Sequence, residues 1–352
     1  MKNILLAINL QLFALNNGVN ATVASGSMGA LNSNGAYANP NTDLSVEMKT
    51  FYDMTLIDEA QAQLIHEQFG VKKPIPANGG KTIEFRRFAS LDKATTPLSE
   101  GVTPPGKALK AEAITATVEQ YGDFVPLTDV LDLVSIDDVV VEATKQCGRQ
   151  AGLTMDTVVR DILHAGTNHS FCPKIAADGT ETEVTSIDGL DNTCQLTVDV
   201  VMQVVAKLRA QNAPTINGKY VAIIHPYVAY DLMRDPEWID AHKYTTSTNL
   251  YEGEIGEIAG VRFVQTTEAK IYENGVFGSL FMGEGAYGVT EITGGGLKTI
   301  IKQLGSAGSA DPLDQRSTVG WKGMKTAEIL IPNYLVCVFS KSKRFSANAA
   351  AN

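Results

Sequence analysis

GEGAYG, residues 283–288, has the G-x-G-x-x-G spacing of a dinucleotide-binding turn. In such a turn the glycines let the backbone approach a pyrophosphate at a helix N-terminus. A strand-like run precedes the motif here, but VTEITGGG after it has no helical period, so a glycine-rich hairpin is the expectation. NGGKT, residues 78–82, resembles the end of a phosphate-binding loop. Ile75 stands where that loop needs its first glycine, and a strand follows where a helix is required. His66, His164, His169, His225 and His242 form no H-x-x-x-H pair, and Cys147, Cys172, Cys194 and Cys337 form no C-x-x-C. His164 and His169 flank the end of a long helix, where a cation near the C-terminal dipole accounts for them. The cysteines read as reduced thiols of a cytosolic setting. Arg86 and Arg87 are adjacent on a strand and suit carboxylate or phosphate. Nothing assembles a catalytic set, and no enzyme activity, cofactor or metal site is expected.

The elements that would position these residues are clearer than the residues themselves. A helix is expected from about Glu47 to Phe69, with Phe51, Met54, Leu64 and Ile65 inward and Gly70 ending it. KTIEFRRFASL (81–91) and AEAITATVEQYGDFV (111–125) alternate, with Ile83, Phe85, Ile114, Ala116 and Val118 on one side. The Pro- and Gly-rich DKATTPLSEGVTPPGKALK separates them, giving a long ribbon that is marginal alone in water and needs a partner surface. Ser135 and Asp138 have capping-box-like spacing at the head of the next helix. Its inward positions are Val139, Ala143, Cys147, Ala151, Met155, Val158 and Ile162, and Gly166 suits its end. That helix is a rod of about thirty residues, roughly 45 Å long.

From about residue 196 to 300 the pattern is a compact α/β or α+β unit: the helix TVDVVMQVVAKLRAQNAP and the strands YVAII, GVRFVQT and GVFGSLFM. DPLDQRSTVGWKGMKTAEIL (311–330) narrows through Gly320, Trp321, Lys322 and Gly323 before a last strand, AEILIPNYLVCVFS, and a basic KSKR. Residues 16–46 are rich in Asn, Gly, Ser and Ala and read as an extended arm. The start, MKNILLAINLQLFALNNG, is interrupted by Asn9 and Gln11 and is followed by no crisp cleavage site. No run reaches the roughly 18 apolar residues of a membrane span. The formal net charge of −10 excludes a chain whose main task is gripping nucleic acid, which needs clustered Lys and Arg.

The order of parts, polar arm, helix, long ribbon, rod helix, compact unit and returning strand, resembles the Hong Kong 97 type fold of tailed-phage major capsid proteins. INLQLFA, TPLSEGVTPPG, ATVEQYGDFVPLTD, GEIGEIAGVRFVQT and DPLDQRSTVGWK sharpen the resemblance toward the phage N-four coat family. The resemblance implies an α+β fold with an N-terminal arm at 1–46, a helix region at 47–78 and an E-loop ribbon at 79–125. It further implies a peripheral domain with a spine helix at 126–195, an axial domain at 196–305, and a return to the peripheral domain with a C-terminal tail at 306–352. The function implied is self-assembly into the icosahedral shell of a tailed bacteriophage, and the alternative is an encapsulin-like cellular compartment. Partners would be copies of the chain in hexameric and pentameric capsomers, a portal, scaffolding or decoration proteins, and double-stranded DNA as non-specific cargo. Assembly would take place in the host cytoplasm, without a membrane. Contacts between subunits are expected at Arg86, Arg87, Glu100, Arg316, Trp321 and Lys322, with the protein's own core as the other place for Trp321.

Overall fold

The structure is a computed structural model that describes residues 54–60, 64–76, 80–88, 91, 93–97, 100–101, 103, 106–135, 138–176, 178–242, 256–292, 295–306 and 311–352. The expected arm and Phe51 lie outside these residues. The chain forms two compact units. One contains Asp123–Cys147 and Thr299–Trp321 with the described residues up to Leu56; the other contains Ile57–Gly122, Gly148–Lys298 and Lys322–Asn352.

The larger unit is organised around a seven-stranded mixed sheet. Its strands run in the order His169–Phe171, Leu335–Lys341, Val276–Met282, Tyr220–Ile224, Val261–Gln265 and Glu257–Ile258, with Ile271–Tyr272 also paired to Val276–Met282. Tyr220–Ile224 and Val276–Met282 are buried at every position. This explains why both read as continuous apolar runs: a strand covered on both faces does not alternate. The helix Val198–Ala210 contributes Val201, Val204, Val205 and Leu208 to the same core. Its start is fixed by Thr197, whose hydroxyl accepts from the Val200 N–H at 3.4 Å.

The rod helix runs Val139–His164, 26 residues and about 39 Å. Its cap differs from expectation. Asp138, not Ser135, accepts at 3.2 Å from the N–H groups of Val140 and Val141, while Ser135 ends the preceding short helix Asp129–Val134. The buried row is Ala143, Cys147, Ala151, Met155, Val159 and Leu163. Four-residue steps continue to the end, so Val159 and Leu163 replace the expected Val158 and Ile162. The expected helix to Phe69 is also corrected: residues 54–60 are helical, but 66–69 form a turn. Met54 is exposed, and Leu56 and Ala60 are the buried residues of that helix.

Residues 311–330 hold the largest surprise. Arg316–Ile329 is one 14-residue strand, to which Glu119–Thr128 and Lys298–Lys302 pair. The sequence reading begins its last strand only at AEILI, because glycine is rare inside strands. Gly320 has a steric reason to be glycine: a Cβ on it would stand 2.8 Å from the Phe124 Cβ and 2.9 Å from the Asp123 carbonyl oxygen. AEILIPNYLVCVFS is likewise two strands. A 3-10 turn at Pro332–Tyr334 separates the end of Arg316–Ile329 from Leu335–Lys341, which belongs to the seven-stranded sheet.

GEGAYG is not a hairpin. Val276–Met282 before it and Tyr287–Thr290 after it lie in different sheets, so the glycines carry the chain from one sheet to another.

Candidate assembly surfaces

The ribbon consists of Thr82–Phe88 and Ala111–Thr117, paired antiparallel in the register Thr82 with Thr117 through Phe88 with Ala111. Among the described residues neither strand pairs with any other, so the ribbon is a separate two-stranded sheet. The register places Ile83, Phe85, Ile114 and Ala116 on one face and Arg86, Phe88, Ala111 and Ala113 on the other. Phe85 and Ala116 are buried, as the alternation predicts. Phe85 packs on the bare backbone of Gly288, where an added Cβ would come within 2.7 Å of the ring. Lys73 also lies over the Phe85 ring, 5.6 Å from its centre.

The ribbon's root is held by a buried polar cluster with no signature in the sequence. Asp156, fully buried on the rod helix, accepts from the N–H groups of Ile65 at 2.9 Å and His66 at 2.8 Å through one carboxylate oxygen. Its other oxygen meets His66 Nδ1 at 2.6 Å. The Tyr287 hydroxyl donates to the His66 carbonyl, and burial holds that phenol well above its ordinary range. The turn therefore joins the rod helix to the strand Tyr287–Thr290. Val71–Lys72 pairs parallel with Gly288–Val289 along that strand, and the chain then enters the ribbon.

Glu67, in the same turn, forms ion pairs with Lys325 and with Lys72, the latter at 3.2 Å. Burial pushes its carboxyl pKa up, but the two ammonium groups outweigh that effect and leave it below the ordinary value. Arg160 is buried and donates to the Glu268 carbonyl at 2.9 Å and to Asp161 at 3.1 Å. His164 corrects the expectation of a cation at the helix end. It is 7% exposed, its Nδ1 lies 3.2 Å from the Tyr272 hydroxyl and 3.3 Å from Cys337 Sγ, and burial drives its pKa well below the ordinary value. It is a core residue. His169 does meet the carbonyl of Gly166 just beyond the helix. All four cysteines are free and buried.

The residues expected at subunit contacts are not gathered into one site. Arg86 is exposed and pairs loosely with Glu84 at 3.4 Å. Arg87 is tied within the subunit, donating to the Leu330 carbonyl at 3.2 Å and pairing with Glu112. Glu100, Arg316 and Lys322 are exposed. Trp321 is 3% exposed, so its indole fills the subunit's own core. Among the described residues no group of three His, Cys, Asp or Glu is placed to hold a metal, and no helix is long and apolar enough to cross a membrane.

Residues 111–335 match the family model described as phage capsid protein. Solved structures with the same fold include the capsid of cyanophage P-SCSP1u, with 15% identity and a TM-score of 0.62 over 79% of this chain and 88% of that one. The capsid of Ralstonia phage GP4 has 15% identity and a TM-score of 0.58 over 90% and 98%. A virus-like particle from Pyrococcus furiosus has 12% identity and a TM-score of 0.50 over 83% and 100%. No curated protein matches the chain by sequence.

The chain belongs to the phage capsid protein family, and its α+β fold is of the Hong Kong 97 type. It is a major capsid protein, a structural subunit of the icosahedral virion shell.

Proposed function

We propose that the subunit builds its shell by laying the ribbon on a neighbouring copy within hexameric and pentameric capsomers. The observation that carries this reading is that the ribbon pairs with no third strand among the described residues and leaves one face, with Arg86 and Phe88, open to solvent, since a two-stranded sheet covered on one side only is marginal in water. In this reading residues 1–46 are the arm, 79–125 the E-loop, 126–195 the peripheral domain, 196–305 the axial domain and 306–352 the returning segment. Assembly takes place in the host cytoplasm on double-stranded DNA held as non-specific cargo, with a portal and scaffolding or decoration proteins as further partners. The match over 111–335 to a phage capsid family favours a virion over a cellular compartment.

Arg86, Glu100, Arg316 and Lys322 are the exposed charges offered to neighbours; Arg87 acts by tying the outer end of the paired ribbon to the Leu330 carbonyl and Trp321 by filling the core behind the strand. Each exposed pair contributes only about 0.2–1 kcal/mol, but a shell repeats it at every subunit. Arg86→Glu is therefore expected to raise the protein concentration needed for assembly by up to about fivefold, since 1.4 kcal/mol is tenfold. The thermal midpoint of the free subunit should hold. Light scattering across a concentration series, with DNA content measured on the same particles, checks this. An unchanged threshold with lost DNA would assign Arg86 to nucleic acid instead.

A further inference from the structure

KSKR, residues 341–344, follows the last strand of the seven-stranded sheet, and it is not a loose basic tail. The Ser342 N–H donates to the Ser346 hydroxyl at 2.8 Å in a buried contact, closing the turn that carries Lys343 and Arg344. Phe345 pins that turn to the helix Pro226–Met233. Its ring stacks on Tyr227 with centres 4.3 Å apart and meets Tyr230 edge-on at 5.6 Å. Tyr227, Tyr230, Asp231 and Arg234 stand three or four residues apart along one side of the helix. Val228, Ala229 and Leu232 are buried on the other.

Two guanidiniums meet on one ring. Arg234 lies 5.7 Å and Arg344 6.0 Å from the Tyr230 ring centre, and Arg234 also donates to the Tyr230 hydroxyl at 3.2 Å. A guanidinium over a ring keeps its N–H donors at its edge, fixed in direction and open to an acceptor. Arg234, Lys343 and Arg344 are all exposed, and among the described residues none of them forms a salt bridge. Asp231 is the carboxylate on this side of the helix. It is half-buried, and burial raises its pKa despite Lys343 and Arg344 nearby. Asp235 is turned to the backbone, accepting from the N–H groups of Val198 at 2.9 Å and Glu237 at 3.1 Å. The resulting surface is cationic.

Its rings pack against one another and under guanidiniums, so it offers a protein partner little apolar centre. What it does offer is a set of directed N–H donors, and a phosphate accepts from a guanidinium through two parallel hydrogen bonds. Duplex DNA presents a phosphate about every 3.4 Å of axis on each strand, so fixed cations meet phosphates at any register. We propose that Arg234, Lys343 and Arg344 hold the phosphate backbone of double-stranded DNA without regard to base sequence. This rests on the reading that the chain is the subunit of a DNA-containing shell, and it names the surface the subunit turns to that DNA. Three cations per copy are compatible with a net charge of −10, because the shell repeats the contact at every subunit.

The test uses the purified full-length chain below its assembly threshold and a fluorescently labelled duplex of about 30 base pairs, with anisotropy read at roughly 50 to 200 mM salt. The unaltered chain should bind, more weakly as salt rises. A variant with Lys343→Gln and Arg344→Gln should bind at least tenfold more weakly at the low-salt end. Its log–log salt slope should be shallower by about 1.8, since each lost phosphate contact removes about 0.9. An unaltered slope in the variant, or an unaltered chain that does not bind the duplex at low salt, overturns the proposal. Should the double variant not fold, Lys343→Gln alone serves, with a slope shallower by about 0.9. Shells of the variant should form at the normal threshold and carry less DNA. A raised threshold with unaltered duplex binding overturns the proposal and makes the patch a contact between subunits. Failure of the unaltered chain to form shells overturns the shell reading itself.

Discussion

Replacing Asp156 with alanine is expected to destabilise the subunit by about 3–5 kcal/mol, the cost of breaking a fully buried polar pair and stranding its partners. The carboxylate accepts from two backbone N–H groups and meets the His66 ring, and His66 and Asp156 are both 0% exposed. Removing it leaves those donors without their acceptor. Since whole domains are stable by only about 5–15 kcal/mol, the variant should unfold at a markedly lower urea concentration. Asp156→Asn, which retains one acceptor oxygen, should lose less. An Asp156→Ala chain with the unaltered urea midpoint would show that the cluster does not hold the ribbon's root.

Replacing residues 92–106 with an Asn-Gly turn should have the opposite profile. Every described residue in that stretch is exposed, and the seven paired positions from Thr82–Thr117 to Phe88–Ala111 lie outside it. The folded subunit should therefore change by no more than about 0.5 kcal/mol, as for surface changes generally. Shell formation should fail at concentrations a hundredfold above the normal threshold, because the ribbon's reach onto its neighbour is gone. An unfolded variant would place the tip in a core, and shells at the normal threshold would remove the ribbon from assembly.

Much of this fold was legible in the sequence where a single period decides. Ile83, Phe85, Ile114 and Ala116 alternate cleanly because only one face of the ribbon is covered. The rod helix's inward row was visible from Ala143 to Met155, and the two all-buried strands were visible as apolar runs. Reading failed where two distant segments determine the outcome. Asp156 and His66 lie 90 residues apart, so neither announces the cluster they form. Gly320 read as lying ahead of the last strand rather than inside one, because the closeness of Phe124 and Asp123, which demands glycine, exists only after folding. Likewise, His164 looked like a helix-end cation until Tyr272 and Cys337 enclosed it.

Purified full-length chain, concentrated through the micromolar range at moderate salt and examined by sedimentation velocity with electron microscopy of the same sample, puts the central claim to its most direct test. Closed, uniform shells, or capsomers that convert to shells, are expected, with little free subunit above the assembly threshold. A single slow boundary of stable monomer across that range, with no particles on the grid, would contradict it.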